Sequence, residues 1–177
     1  LFCTTFLNYF DRQIFSILKP TIKSEFGLND AGYANIVSVF MVTYIVAYVL
    51  SGRLVDRIGS RISLMLFVAV WSTANIFIGL SHTMAQMLVC MAVMGAAEPG
   101  NYPAALRATA TWFPAGLRGV ATSIYQAGSA TAAVLAMPIV AFVASAWGWR
   151  EAFVIPGLVG LAWVAVWFFA YKTPGGA

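Results

Sequence analysis

Gly52-Arg53-Leu54-Val55-Asp56-Arg57-Ile58-Gly59-Ser60-Arg61 sets four charged residues between two long runs that carry none, 31–52 and 62–97. Further charge-free runs cover 119–149 and 152–171. A hydrocarbon core of about 30 Å is crossed by about 20 apolar residues in a helix, so each run holds at least one span. Across the chain 61% of residues are hydrophobic and 9% are charged, against roughly 25% charged in soluble domains. The expected solvent of this chain is a lipid bilayer.

Working outward from the charged stretch, six spans fit: 1–18, 31–54, 62–80, 83–106, 119–144 and 152–171. Lys19-Pro20 is expected to end the first. The run 62–97 would make a helix of about 54 Å, so it is expected to break at Gly79-Leu80-Ser81-His82. Residues 173–177 read as the start of a linker. Leu1 already lies inside an apolar segment, and the expectation is that sequence precedes it.

The net charge of +4 does not mark a nucleic-acid binder, because the Lys and Arg residues sit at the ends of apolar runs. Alternate connections hold Arg53, Arg57, Arg61, Arg107, Arg118 and Lys172 on one side, and Lys19, Lys23 and Arg150 on the other. The positive-inside rule makes the first side cytoplasmic, with both ends of the chain there. Cys3 and Cys90 form no spacing motif, His82 has no partner motif, and no phosphate loop, metal cluster or nucleophile elbow is seen. Neither enzyme activity, a metal nor a cofactor is expected.

Two places inside the spans carry charge. Asp11 and Arg12 lie in the middle of the first, where each costs roughly 2.5–3.5 kcal/mol on insertion scales. At about 100° per residue, Asn8, Tyr9, Arg12, Gln13 and Ser16 fall within roughly 140° of arc, with Asp11 about 60° beyond its edge. That is the face of a helix lining an aqueous cavity. The blander alternative is an Asp–Arg pair that only locks helix packing. Glu98 is the other intramembrane charge, set in Gly95-Ala96-Ala97-Glu98-Pro99-Gly100-Asn101-Tyr102-Pro103. The prolines and glycines weaken the helix there, which is tolerated where freed backbone groups meet a cavity or a neighbouring helix. Its blander alternative is a glutamate satisfied by a nearby hydroxyl.

Small residues recur every four positions at Ala92, Ala96, Gly100, Ala104 and Ala108, and again at Gly128, Ala132 and Ala136. They predict close helix packing. Trp147-Gly148-Trp149 and the aromatics at 163–169 are expected at the membrane interface or against lipid. Asn8-Tyr9 and Asn101-Tyr102 each accompany an acid in the first helix of a three-helix group, which suggests two inverted repeats with a site between them.

The stretch 52–61 closely resembles the signature loop of the major facilitator superfamily. Gly52 is suited to close helix approach, Gly59 to a tight turn, and Asp56 to pairing with arginines or a helix N-terminus. Asn8-Tyr9-Phe10-Asp11-Arg12-Gln13, Ile17-Leu18-Lys19-Pro20, Glu98-Pro99-Gly100-Asn101-Tyr102-Pro103, Trp112-Phe113-Pro114 with Arg118, and Trp147-Gly148-Trp149-Arg150 narrow the resemblance. It is to the anion:cation symporters, and among them the hexuronate and aldonate carriers.

That resemblance implies an all-α membrane fold, of which this is the N-terminal six-helix lobe, with a missing C-terminal lobe as its partner. It implies proton-coupled symport of a small organic anion, a sugar acid, across a bacterial cytoplasmic membrane. By the same resemblance Arg12 would hold the substrate carboxylate, Tyr9 and Tyr44 would bond nearby, and Ser129 would line the site. Tyr48, one turn from Tyr44, would join that face or only pack. Asp11 and Glu98 would be the proton sites, with Gly52, Asp56, Arg57, Gly59 and Arg61 forming the gating motif. One departure stands out. Met91 occupies the position, seven residues before Glu98, where the family often has arginine, which is expected to leave Glu98 without that partner. A uniporter or neutral-solute carrier of the same fold, or a non-transporting half that associates with other membrane proteins, are the alternatives.

Overall fold

Pro20 restarts a helix as well as ending one. The structure, a computed structural model, describes residues 1–171; Lys172 and the expected linker at 173–177 lie outside them. The first helix, α1 (Phe2–Ile17), closes at Leu18, and α2 (Lys19–Glu25) begins at once with Pro20 in its first turn. Proline is harmless there because a first-turn N–H has no intrahelical acceptor.

The next helix, α3, runs from Asp30 to Gly79 over 50 residues, and the Asn29 side chain caps it by accepting from the Gly32 N–H at 2.7 Å. Unbroken, that length would be about 75 Å. It is two helices meeting at Gly59, whose φ of 80° and ψ of 162° suit glycine and almost nothing else. The charged stretch read as a connecting loop is therefore helical except at that single residue. The chain then turns through Leu80–His82, and a reciprocal Thr83–Gln86 capping box opens α4 (Met84–Ala97). A 3-10 turn at Glu98–Gly100 leads into α5 (Asn101–Trp112), and a second at Ala115–Leu117 into α6 (Arg118–Ala146). The last described helix is α7 (Glu151–Ala170).

By length and composition three helices among the described residues are able to cross a membrane: α3, α6 with its leading turn, and α7. Helices α4 and α5, of 14 and 12 residues, are each too short and cross as one broken helix. With the two halves of α3 counted separately and α1 included, this is a six-helix bundle.

Glycines set its closest approaches. A Cβ on Gly128 of α6 would meet the Phe2 carbonyl of α1 at 2.7 Å, and one on Gly157 of α7 the Ser72 carbonyl of α3 at 2.7 Å. Gly160 lies against the Ser72 side chain in the same seam. Such residues let helices pack where lipid offers no hydrophobic drive. The stripe expected along α4 and α5 is only partly real. Gly100, Ala104 and Ala108 are buried, but Ala96 is exposed and Gly95 packs in its place, a Cβ there meeting the Phe40 carbonyl at 2.5 Å. The aromatic expectation also divides. Trp147 is exposed, whereas Trp149 is buried beneath the Arg150 guanidinium, 4.4 Å from its ring centre.

Candidate functional site

Three side chains that ought to avoid lipid are buried or half-buried within the bundle. Glu98 is 1% exposed. It sits in the 3-10 turn because Pro99 and Pro103 deny the α-helix two N–H donors, and the turn is wedged from outside: a Cβ on Gly100 would overlap the Phe67 ring of α3. Asn8 of α1 donates from Nδ2 to the Glu98 backbone carbonyl at 3.3 Å, an extra partner at the weakened turn.

The Arg12 Nε donates to Glu98 Oε2 at 2.5 Å, and its Nη2 donates to Asn8 Oδ1 at 3.2 Å. Its guanidinium lies over the rings of Tyr44 (4.6 Å) and Tyr9 (5.3 Å). Tyr44 and Tyr48 stack at 6.3 Å and extend that wall along α3. Met91 does leave Glu98 without a cation from its own helix, but not without a cation. Arg12 crosses from α1 to fill the role, because the 3-10 turn faces α1 at the height of Arg12.

Asp11 goes elsewhere. It is as deeply buried as Glu98, and its Oδ1 accepts from Asn75 Nδ2 of α3 at 2.9 Å. The two acids line different cavities. One of about 400 Å³ is walled by Asp11, Phe15, Val37, Phe40, Met91 and Met94, among others. The other, of about 190 Å³, is walled by Tyr9, Tyr44, Glu98, Asn101, Tyr125 and Gln126, among others. Arg12 belongs to both. The polar interior is thus two chambers that share one guanidinium. The 60° offset of Asp11 was the sign of it.

Ser129 is half-buried, and its hydroxyl donates to the Gln126 carbonyl of its own helix at 2.7 Å. It is outside the residues lining both chambers, where Tyr125 and Gln126 represent α6. Sequence reasoning passed over those two and Asn75. Each is a polar side chain well inside a charge-free run, and that alone is a signal in a membrane.

At the other end of the bundle, Arg107 of α5 donates to the Asp56 carboxylate at 3.2 Å and to the Val55 carbonyl at 2.8 Å. Arg61 donates to the Phe168 carbonyl of α7 at 2.6 Å, and Ser60 bonds the Tyr171 hydroxyl at 3.0 Å. The motif thus ties the Gly59 kink to α5 and α7. Arg57 is exposed and makes no ion pair among the described residues. Gly52 does not serve close approach within this lobe, since a Cβ there would meet nothing within 4 Å.

A partly buried arginine held by one acid, ringed by tyrosines and bordering two chambers, has the donors to hold an anion, and Glu98 already competes for them. The family model described as Major Facilitator Superfamily matches residues 1–177. A galacturonate transporter of Dickeya chrysanthemi is 28% identical over 170 residues, covering 96% of this chain and 49% of its own length. A hexuronate transporter of Escherichia coli K12 is 29% identical over 170 residues, covering 96% and 39%. The chain therefore spans less than half the length of these curated relatives, which are transporters and not enzymes. The inward-facing, unoccupied crystal structure of a bacterial homologue of the human lysosomal transporter Spinster superposes with a TM-score of 0.86 at 22% identity, over 99% of this chain and 42% of that one. At that identity the likeness is one of fold.

Proposed function

The chain belongs to the Major Facilitator Superfamily, and from that premise we propose that it forms the first lobe of a proton-coupled carrier of small organic anions, sugar acids among them. Its apolar helices and its family mark an integral membrane protein. A second lobe of the same protein completes the site, the membrane is the bacterial cytoplasmic one, and both ends of this lobe face the cytoplasm.

The observation that carries the reading is the contact of Arg12 with Glu98 at 2.5 Å beside a cavity of about 190 Å³. A buried carboxylate is tolerable only while paired or protonated. An incoming substrate carboxylate takes Arg12, and Glu98, left without its cation, takes a proton. Linkage makes the effect reciprocal, so a proton on Glu98 frees Arg12 for the anion. Proton and anion load together, and rocking of the two lobes carries them across. Asp11, in the adjoining chamber, is the second proton site. Tyr9 and Tyr44 bond and orient the anion, with Ser129 a more distant contributor on α6. The motif at Gly52, Asp56, Arg57, Gly59 and Arg61 forms the cytoplasmic gate. No cofactor is called for; the proton is the coupling ion.

The test is uptake of galacturonate by the intact protein in liposomes, with and without an imposed pH gradient. Accumulation should require the gradient in the wild type. Gradient-independent equilibration would favour the second reading, a uniporter or neutral-solute carrier. Met91 is the observation on that side, since it places a buried thioether where a second cation would favour a dianion.

A further inference from the structure

Arg12 divides two chambers, and a carboxylate held on it must send the rest of its body into one of them. The larger has mostly apolar walls, Val37, Met91 and Met94 among them, and Asp11 Oδ1 already accepts from Asn75. The smaller is built differently. Glu98 Oε1, Asn101 Oδ1 and Tyr125 Oη are sealed from solvent and have no hydrogen-bond partner among the described residues. Their residues are 1%, 5% and 2% exposed, and all three line the same chamber of about 190 Å³.

They come from three separate elements: the 3-10 turn, α5 and α6. A buried polar atom without a partner costs about 1–3 kcal/mol, so three in one wall imply something that fills them. Asn101 Oδ1 only accepts, while a phenol and a protonated Glu98 carboxyl each donate or accept. The complementary group must therefore donate to Asn101 and do either at the other two. A row of alcohol hydroxyls has that chemistry. The tyrosine rings of the same wall offer apolar faces to the C–H side of such a molecule.

We infer that Asn101 and Tyr125 are specificity-determining residues that read the hydroxyl groups of the transported anion, beside Glu98 Oε1, while Arg12 holds its carboxylate. The inference rests on the carrier reading above. It assigns the small chamber, and not the larger apolar one, to the body of the substrate.

The experiment is calorimetric binding of two probes to the intact purified protein. Galacturonate carries hydroxyls; cyclohexanecarboxylate keeps a six-membered ring and the carboxylate without them. Tyr125→Phe removes one oxygen and keeps the packing, so it folds. It should weaken galacturonate about tenfold, the scale of one hydrogen bond, and leave cyclohexanecarboxylate unchanged. Asn101→Ala should behave alike. An equal loss for both probes would assign the two residues to packing and overturn the inference, as would unchanged galacturonate affinity in Tyr125→Phe. A wild-type protein that binds neither probe would defeat the carrier reading, and this inference with it.

Discussion

Arg12 and Glu98, 86 residues apart in sequence, meet at 2.5 Å inside the bundle, and the second oxygen of Glu98 is left without a partner among the described residues. The pair joins α1 to the broken α4–α5 helix. It also occupies the cation that the carrier reading assigns to the anionic substrate.

The pair should separate stability from transport. Removing one member of a buried ion pair costs about 3–5 kcal/mol, because the other must stay buried and unpaired or take up a proton. Arg12→Ala should lower the melting temperature of the detergent-solubilised intact protein and abolish anion binding. Adding Glu98→Gln should restore most of the melting temperature and none of the binding. A double variant as unstable as Arg12→Ala alone would mean the arginine stabilises through its tyrosine contacts instead.

Glu98→Gln alone removes the exchangeable proton and keeps the shape. In liposomes it should lose accumulation driven by a pH gradient while still exchanging labelled for unlabelled substrate. Full gradient-driven accumulation by this variant would take Glu98 out of the coupling scheme and leave Asp11 as the proton site.

Three glycines make a graded series. Gly100→Ala pushes a methyl into the Phe67 ring and should cost about 1–3 kcal/mol, the usual range for overpacking. Gly59→Ala forces a Cβ into positive φ at extended ψ, at roughly 1–3 kcal/mol. Gly52→Ala meets nothing within 4 Å in this lobe and should leave folding unchanged. If it nonetheless slows transport, the second lobe closes on that position. Thermal unfolding and uptake rates, measured on the same three variants, check all of this.

Outside the spans, Asp30 accepts from Lys23 at 2.9 Å and lies 3.5 Å from Lys19. The bond from Lys23 and the charges of both lysines hold its carboxyl below the usual 3.8. A folded value below the unfolded one stabilises the fold above the ordinary carboxylate range, and the gain is lost as pH falls through the folded value. Carbon-13 NMR of labelled aspartate should show Asp30 titrating below 3.8, and Lys23→Met should return it towards that value. An unshifted wild-type midpoint would mean the lysines do not hold it.

Much of the site was legible from composition. A charge in a charge-free run must find a partner or a cavity, which singled out Asp11, Arg12 and Glu98 before any contact was known. Helical phase even hinted at the divergence of Asp11. What stayed hidden were Asn75, Tyr125 and Gln126. Polar uncharged side chains in a span are common enough that only their neighbours reveal a role, and those neighbours lie on other helices. Ser129 lies outside both chamber linings for a similar reason. Its phase on α6 is one turn from Gln126, and which turn faces the chamber depends on how far α6 slides along α1.

The sequence by itself determined that this chain is a bundle of membrane helices, where its charges fall, and that Gly59 bends the path, because hydropathy and backbone sterics are local properties read along the chain. Tertiary structure alone decided that Arg12 pairs with Glu98 and not Asp11, and that the polar interior is two chambers. Both outcomes depend on the relative rotation and height of packed helices. Those are fixed by where glycines such as Gly95, Gly100 and Gly128 let one backbone press against another.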